Sequence, residues 1–466
     1  MSQLNKPSRR EFIKAAAAAG VAAGVLGKAF GSEPAAARSS GDHRGGSPND
    51  RIQVALIGAG DRGMWNAKVA LQVPGVEIVA VADLYEGRLL RAKELWGKQI
   101  FTGKDHREIL ARPEIDAVII ATPDHWHSQI SIEAMNAGKD VYCEKPVVQR
   151  VDEGHPVIAA QNKTGRIFQD GSQRVSSIVY RKAKELIESG AIGELNLVEA
   201  FINRRKPIAA WQYTIPPDAS PQTIDWDRFL GRAPKLPFDA KRFFRWRNYQ
   251  DYGTGIGGDL FVHLFSGIHY VLGCHGPTRV MATGGLRFWD DGRDVPDVLL
   301  GLYDYPKSGA TPAFNIVLRV NFADGSVDPN VFEDSSFRFI GTEGTLTIGA
   351  GVTVERKSRL NEPGLSIGTF PDAMQAAISA EYGKKYPASQ GRFGDSKQDT
   401  YLPPSGYNDS LDHFANFFDA VRSRAPVVED AAFGFRAAGP ALLTNISYFD
   451  KRIVSWNPET MRLDEG

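Results

Sequence analysis

The sequence has only two cysteines, Cys143 and Cys274, and no excess of either sign of charge. Two cysteines cannot build a disulfide framework or a zinc site made of thiolates, although a single bridge between them stays open. The 55 basic and 55 acidic residues give a formal net charge of +0, and no basic run alternates with aromatic residues. Nucleic acid is therefore not an expected partner.

The sequence also lacks a hydrophobic run long enough to span a membrane. Its most apolar stretch, Ala15 to Phe30, consists mostly of alanine, glycine and valine and is interrupted by Lys28. A spanning helix needs about 18 to 20 apolar residues, so we do not expect a stable membrane anchor. The 466 residues, 42% of them hydrophobic, are enough to bury two domain cores.

The segment before that stretch, Ser8–Lys14, reads Ser-Arg-Arg-Glu-Phe-Ile-Lys. A pair of arginines ahead of a mildly apolar segment is typical of a twin-arginine export signal. We interpret residues 1–37 as this signal, with small residues at 35–37 for cleavage, and residues 38–50 as a disordered linker. The pattern predicts a periplasmic or otherwise exported protein that the twin-arginine machinery carries in folded form with its cofactor bound.

A glycine-rich turn follows the first strand-like run, Ile52 to Ile57. In such a turn the first glycine permits a sharp bend, the second lets a pyrophosphate approach the backbone, and the third lets the next helix pack on the strand. The helix that begins near Met64 would direct its N-terminus at the phosphates. The expected cofactor ligands here are Gly58, Gly60, Asp61, Arg62 and Gly63.

A second strand-like run, Val76 to Ala82, ends at Asp83, about 20 residues beyond the last glycine. A carboxylate at this position binds the ribose hydroxyls and repels a 2′-phosphate, which favours NAD over NADP. Strand-like and helix-like segments continue to alternate up to Cys143. The order predicts a parallel Rossmann domain over residues 51–172 and an α/β fold class.

Two motifs after these strands resemble the Gfo/Idh/MocA oxidoreductases, the relatives of glucose-fructose oxidoreductase and inositol dehydrogenase. The first is Thr122-Pro123-Asp124-His125-Trp126-His127, and the second is Glu144-Lys145-Pro146. The resemblance covers nearly the whole chain after the export signal and includes the segments 173–174, 244–252, 257–263 and 341–344. It implies that Thr122, Pro123 and His127 lie along the nicotinamide side of the cofactor, that Glu144 and Lys145 also bind the cofactor, and that Lys145 lies between cofactor and substrate.

The resemblance further implies a second domain, residues 173–466, that is α+β with an open, mainly antiparallel sheet. Short strand-like runs separated by turn residues support it at 195–203, 278–284, 298–303, 314–321, 335–340 and 344–348. A helical pattern over 411–421 places Phe414, Phe417, Phe418 and Val421 on one face, where we expect core packing. An open sheet face is commonly covered by another subunit, so we expect a homo-oligomer.

Oxidation of a secondary alcohol needs a base for the hydroxyl proton and a group that stabilises the developing alkoxide. The candidate catalytic residues are Lys145, His263 and Asp259. Asp259 and His263 are four residues apart, which places them on one face of a helix. We predict that His263 is the general base and that Asp259 orients it or binds a sugar hydroxyl, while packing of His263 in an apolar helix stays open.

A metal site is not expected, because His125 and His127 have no third ligand at a suitable spacing. A sugar or polyol is the expected substrate, bound by a mixture of stacking and hydrogen bonds. Its candidate ligands are Gln173, Arg174, Arg245, Trp246 and Tyr252.

Three functions fit these residues. The first is an NAD-dependent sugar or polyol oxidoreductase that retains its cofactor. The second is a glycosidase that uses NAD to oxidise the C3 hydroxyl, eliminates the aglycone and then reduces the ketone again. The third is a sugar-binding protein without catalytic activity, which the complete set of motif residues argues against.

Overall fold

The computed structural model describes residues 51–309, 311–326, 328, 331, 333–356, 364–385 and 398–464. The predicted export signal and linker therefore lie outside the described residues. Within the described ranges, no helix has both the length and the apolar character needed to cross a membrane.

The first sheet is parallel and six-stranded. Its spatial order is β3-β2-β1-β4-β5-β6, so the order in which strands are added to the sheet reverses between the neighbouring parallel strands β1 and β4. This reversal leaves a crevice at the carboxyl ends of β1 and β4, where nucleotides bind in such folds. The predicted Rossmann domain is confirmed. Its strands are β1 (Ile52–Ile57), β2 (Val76–Ala82), β3 (Phe101–Gly103), β4 (Ala117–Ile120), β5 (Asp140–Cys143) and β6 (Phe168–Asp170), and its helices are α1 (Asp61–Ala70), α2 (Glu86–Trp96), α3 (His106–Leu110), α4 (His127–Asn136) and α5 (Gly154–Thr164).

The second sheet has ten strands. These are β7 (Leu195–Asn203), β8 (Arg279–Gly285), β9 (Val298–Tyr305), β10 (Phe314–Asn321), β11 (Asp334–Gly341), β12 (Gly344–Ile348), β13 (Val352–Arg356), β14 (Gln398–Tyr401), β15 (Val454–Asn457) and β16 (Arg462–Leu463). The spatial order is β14-β13-β12-β11-β7-β10-β9-β8-β15-β16, and β7 and β10 run parallel while the other described pairs run antiparallel. The predicted open, mainly antiparallel sheet is confirmed.

Helices cover one face of this sheet. Along β10, Phe314, Ile316, Leu318 and Val320 are buried beneath them, and the alternate residues point to the opposite face. That opposite face stays open, with Leu300 and Leu302 of β9 exposed by 40% and 46%. The helices of this half of the chain, not all of which lie on the sheet, are α6 (Ile178–Glu188), α7 (Trp226–Leu230), α8 (Ala240–Phe244), α9 (Val262–Leu272), α10 (Asp372–Lys385), α11 (Asp409–Ser423) and α12 (Ala431–Asp450), and a π-helical turn, Gly257–Phe261, precedes α9.

Helix α11 lies late in the chain but packs on the Rossmann domain. Phe414 stacks on Tyr142 of β5, with ring centroids 4.5 Å apart, and Phe417 and Phe418 are fully buried in the core beneath β1 and β4. The predicted core positions of this helix are therefore confirmed. Through α11, the C-terminal half of the chain contributes directly to the core of the nucleotide-binding half.

We expect that replacement of Phe417 by alanine lowers the free energy of unfolding by about 3–5 kcal/mol, because it leaves a large cavity between α11 and the parallel sheet. Chemical denaturation followed by circular dichroism measures this change. The matched control is Leu402→Ala, since Leu402 is 65% exposed and should have little effect. Equal effects of the two substitutions would contradict the packing described for α11.

Candidate active site

The glycine-rich turn joins β1 to α1 at the crevice of the parallel sheet. Gly58 has a φ of +92°, and a Cβ atom there would lie 2.6 Å from the carbonyl oxygen of Ala121. A Cβ on Gly63 would lie 1.9 Å from the carbonyl oxygen of Gly58. At Gly60, by contrast, the nearest atoms belong to the Arg88 side chain, at 3.5 Å. The first and third glycines are thus needed for packing, and the second leaves the backbone open to a ligand.

Asp83, at the end of β2, fixes the shape of this turn. Its Oδ2 accepts a hydrogen bond from the Ala59 amide at 2.8 Å, and its Oδ1 accepts one from the Tyr85 amide at 2.9 Å. The Arg88 guanidinium lies 3.4 Å from the same carboxylate. The carboxylate is therefore anchored at the mouth of the crevice, where a ribose would lie.

The crevice continues into a cavity of about 550 Å³ between the parallel sheet and segments of the second domain. Such a volume is typical of a cofactor or small-molecule site. Seven of the predicted cofactor ligands line the cavity: Gly58, Gly60, Asp61, Arg62, Asp83, Thr122 and Pro123. The lining residues from the second domain include Gln212, Tyr213, Phe243, Phe244, Trp246 and Arg247. The open backbone at Gly60, the start of α1 and the anchored Asp83 fit a dinucleotide.

Glu144, which follows β5, faces the glycine-rich turn. Its Oε1 accepts hydrogen bonds from Arg62 Nε at 2.6 Å, Asn66 Nδ2 at 3.0 Å and Gln173 Nε2 at 3.2 Å. Burial alone would raise the pKa of Glu144, but Arg62 and Lys145 outweigh it and hold the pKa below its ordinary value. Glu144 therefore stays ionised and positions Arg62 at the cavity. Gln173, predicted to bind substrate, instead braces Glu144.

The side chain of His127, which is predicted to lie beside the nicotinamide, is bound to the main chain of two loops. Its Nδ1 lies 2.7 Å from the carbonyl oxygen of Pro146 and its Nε2 lies 2.9 Å from that of Thr122. Both ring nitrogens are thus engaged with main-chain oxygens, and the ring is buried. His127 ties the loop after β4 to the loop after β5 and so supports the cofactor site from behind.

His125 also has a structural role. Its Nε2 lies 2.8 Å from the carbonyl oxygen of Phe229, and burial lowers the pKa of His125 to about 4. Across the described parts of the chain, no three histidine, cysteine or acidic side chains are grouped as metal ligands. Cys143 and Cys274 are both buried and free.

Lys145, the residue after Glu144, reaches across to the second domain. Its Nζ donates to the main-chain oxygen and to Oδ1 of Asp259, each at 2.8 Å, and Arg247 Nε lies 3.3 Å from the same Oδ1. Burial would raise the pKa of Asp259, but Lys145 and Arg247 lower it far below the ordinary range. Asp259 is therefore an anion that orients Lys145. The prediction that it orients His263 is wrong, because the π-helical turn directs its carboxylate to the lysine.

His263, in the first turn of α9, lies near the charged side chains of Lys145, Arg174, Asp259 and Glu333. We call this group of side chains, where the two domains meet, the junction. Burial lowers the pKa of His263 well below its ordinary value, and Lys145 and Arg174 lower it further, against the opposing effect of Glu333 and Asp259. The imidazole is therefore neutral at pH 7. A general base must start in this neutral form, but the same burial and cations oppose its protonation.

The remaining predicted substrate ligands divide into two groups. Arg174 and Trp246 lie at the junction: Arg174 pairs with Glu333, and Trp246 lines the cavity and packs 4.1 Å below the Arg247 guanidinium. Arg245 instead supports the cavity wall, donating to Gln212 and to the carbonyl oxygen of Tyr213.

Tyr252 does not reach the cavity. It is 0% exposed and packs in an aromatic cluster with Trp226, Phe229 and Tyr249, where burial raises the pKa of its hydroxyl group. Its prediction as a substrate ligand is wrong because aromatic packing around Phe229 draws the ring into the core.

Four residues at the junction were not predicted: Asp124, Arg204, Arg247 and Glu333. Asp124 is 1% exposed, and its Oδ2 accepts from the amide and the hydroxyl of Thr254 at 3.0 and 2.7 Å. Burial and, against the effect of His127, the nearby Asp259 raise the pKa of Asp124. Asp124 and Arg247 lie inside segments that the sequence motifs mark. Arg204 and Glu333 carry no motif and are found only from the folded chain.

Two family models match the chain. Residues 52–172 match the oxidoreductase family's NAD-binding Rossmann fold, and residues 178–283 match its C-terminal alpha/beta domain. The chain thus carries an NAD-binding Rossmann fold, which confirms the predicted cofactor class.

Individual relatives match over shorter stretches. A glycosyl hydrolase family 109 protein of Shewanella baltica is 32% identical over 205 residues, 40% of this chain and 44% of that protein. The scyllo-inositol 2-dehydrogenase (NAD(+)) of Bacillus subtilis is 34% identical over 145 residues, 31% of this chain and 42% of that protein. The chain spans less than half the length of these curated relatives.

Among solved structures, levoglucosan dehydrogenase in complex with NADH and levoglucosan superposes with a TM-score of 0.62 at 18% identity, over 87% of this chain and 99% of that chain. The complex of GenD2 from gentamicin A biosynthesis with NAD gives 0.61 at 19% identity, over 89% and 99%. The TM-scores show that the fold is shared, and at identities this low the likeness extends to the fold alone.

We expect that Asp83→Asn weakens NAD binding roughly tenfold and lowers the preference for NAD over NADP, because the substitution removes the charge that repels a 2′-phosphate. Titration of both nucleotides against the intrinsic fluorescence of the purified chain measures the two affinities. The control is Glu86→Gln, which removes a more exposed carboxylate paired with Lys104. An unchanged ratio of the two affinities would contradict the assigned role of Asp83.

Proposed function

The chain belongs to the Gfo/Idh/MocA oxidoreductase family, and from this membership we propose that it transfers hydride between a hydroxyl-bearing carbon of a sugar or polyol and NAD. The observation that carries the proposal is the position of Lys145, which Asp259 holds at the junction of the cofactor cavity and the second domain. Sugar and polyol dehydrogenases among the relatives and similar structures support the substrate class.

The side chains at the junction suit the proton side of this reaction. NAD, when bound, supplies the hydride acceptor. Two of the three Nζ donors of Lys145 are directed at Asp259, which leaves one for a substrate oxygen. The neutral His263 would accept the hydroxyl proton, while Lys145 would stabilise the negative charge that develops on the oxygen. Trp246 and Tyr213, in the cavity wall, offer apolar faces to a sugar ring.

We also propose that the protein is exported by the twin-arginine machinery and retains its NAD. This proposal rests on the arginine pair and the apolar stretch in residues 1–37, because that route carries folded proteins. Retention of NAD is supported by the cavity, because segments of both domains form its walls. The exposed Leu300 and Leu302 on the open sheet face support the further proposal of a homo-oligomer.

A second candidate is the NAD-dependent glycosidase. The relatives named glycosyl hydrolase family 109 protein and alpha-N-acetylgalactosaminidase, at 32% and 33% identity over 205 residues, favour it. Such a reaction oxidises and then reduces the same sugar, so it consumes no external electron acceptor. That property suits an exported protein with a retained cofactor.

We expect that Lys145→Met lowers the rate of cofactor reduction by a factor of roughly 10² to 10⁴, because it removes the group that stabilises the developing alkoxide. Stopped-flow absorbance of NADH measures the rate, and fluorescence titration checks that NAD still binds. The control is Lys182→Met on α6, a more exposed lysine that pairs with Glu185. Comparable rates in the Lys145 variant and the wild type would remove Lys145 from the reaction.

The two candidate functions are separated by denaturing the purified protein, identifying the released nucleotide by mass spectrometry, and exposing native protein to sugars and to nitrophenyl glycosides. We expect NAD to be released and a sugar to reduce it in place. Release of nitrophenol from a glycoside without net reduction would instead assign the glycosidase. A protein that neither contains NAD nor binds it when added would overturn both candidates.

A further inference from the structure

A segment of the second domain crosses the crevice that holds the proposed NAD site. It comprises residues 212–252, lies in sequence between β7 and the π-helical turn, and contains α7 and α8. We call this segment the strap. Its residues Tyr213, Phe229, Phe243 and Phe244 line the same cavity as the glycine-rich turn. The strap is therefore the part of the second domain that forms a wall of the cofactor cavity.

On one side of the crevice the strap is bonded to the chain that follows β2. Residues 84–86 and 223–225 form an antiparallel bridge with two main-chain hydrogen bonds of 3.0 Å. The hydroxyl group of Tyr85 also donates to Oδ1 of Asp218 at 2.6 Å. These bonds come directly after Asp83, the carboxylate that marks the ribose of the adenosine half. The strap is thus fixed at the adenosine end of the site.

The strap is also bonded to the loops that follow β3 and β4. After β3, Oδ2 of Asp105 accepts a hydrogen bond from Nη1 of Arg228 at 2.6 Å. After β4, Nε1 of Trp126 donates to the carbonyl oxygen of Phe229 at 3.0 Å, and Nε2 of His125 lies 2.8 Å from the same oxygen. Because β2 and β3 lie on one side of β1 and β4 lies on the other, the strap is attached to both sides of the crevice. A dinucleotide along the carboxyl ends of these strands would lie between the sheet edge and the strap.

A hydrophobic cluster holds the strap in this position. In the part of the chain that the structure describes, its buried members are Tyr85 of the Rossmann domain and, from the strap, Ile224, Trp226, Phe229, Leu230, Phe243, Phe244, Tyr249 and Tyr252. Tyr85 meets Phe244 edge to face, with ring centroids 5.3 Å apart, and Cζ of the cavity residue Arg88 lies 5.4 Å from the Phe244 ring. Opening of the strap would withdraw Tyr85 from the cluster and break its bond to Asp218. The strap should therefore open only rarely.

We infer that the strap encloses the adenosine end of bound NAD and that the cofactor leaves only when the strap opens. This inference rests on the proposed NAD-dependent function and supplies the means by which the chain would retain its cofactor. Opening is a local conformational step, so the fraction of time that the strap is open limits both the entry and the release of NAD.

Kinetics distinguish such a strap from a set of ordinary contacts with the cofactor. A substitution that weakens the closed strap raises the open fraction with and without NAD, so entry and release both become faster and the affinity changes little. Loss of a direct contact with NAD instead speeds release alone and weakens the affinity by the same factor. The test therefore needs both the release rate and the dissociation constant.

Two substitutions weaken the closed strap at residues that are not among the described residues lining the cavity. Tyr85→Phe removes the hydrogen bond to Asp218 and keeps the ring, and Asp105→Asn weakens the pair with Arg228 while asparagine can still cap α3. Asp218→Asn weakens the first bond from the strap side and should reproduce the effect of Tyr85→Phe, which covers a failure of that variant to fold.

Exchange of bound NAD for isotopically labelled NAD on the purified, NAD-loaded chain measures the release rate, with gel filtration and mass spectrometry as the readout. We expect each single variant to release NAD about threefold faster than the wild type, and the variant with both Tyr85→Phe and Asp105→Asn about tenfold faster. Dissociation constants from fluorescence titration should stay within about twofold of the wild type.

The matched control is Tyr407→Phe, which removes a tyrosine–aspartate hydrogen bond of 2.8 Å to Asp412, outside the strap, and should leave release unchanged. Release at the wild-type rate from the strap variants, or faster release with an equal loss of affinity, would overturn the inference. Exchange of NAD within seconds by the wild type would also overturn it, while the proposed hydride transfer stands. Slow exchange that the strap variants accelerate, in a chain whose bound NAD reacts with no sugar or glycoside, would support the strap and contradict the proposed function.

Discussion

The ion pair between Lys145 and Asp259 is the interaction on which the rest of the site depends. Both side chains are more than nine-tenths buried, so each would be strongly destabilised without its partner. The pair persists because additional donors and acceptors surround it: Lys145 also donates to the main-chain oxygen of Asp259, and Arg247 approaches the carboxylate from the other side. This arrangement fixes the end of β5 against the turn before α9, and with it the distance between the two halves of the chain.

The end of β5 also explains how one short segment serves both halves. Successive residues of an extended chain point to opposite sides. Glu144 accordingly faces the glycine-rich turn and holds Arg62, while Lys145 faces the second domain and holds Asp259. His127 closes the arrangement from behind by joining the preceding loop to Pro146. A shift of this segment would therefore move Glu144 and Lys145 together. It would disturb the cofactor side and the substrate side of the site at the same time.

The sequence was informative where structure is set by neighbours along the chain. The glycine-rich turn, Asp83 and the strands of both sheets were predicted because each depends on local conformation or short spacing. Predictions failed where distant contacts decide a side chain's direction. Tyr252 turns into an aromatic core, and Asp259 turns to Lys145 because the helix is wider at that turn. Glu333 had no local signal, since its partners are brought to it only by the folding of β6, β7 and β11.

The electrostatics of the junction bear directly on the proposed proton transfer. A general base must be neutral before it accepts a proton, and the nearby cations, together with burial, keep His263 in that state. In the proposed reaction the same cations would stabilise negative charge on a substrate oxygen.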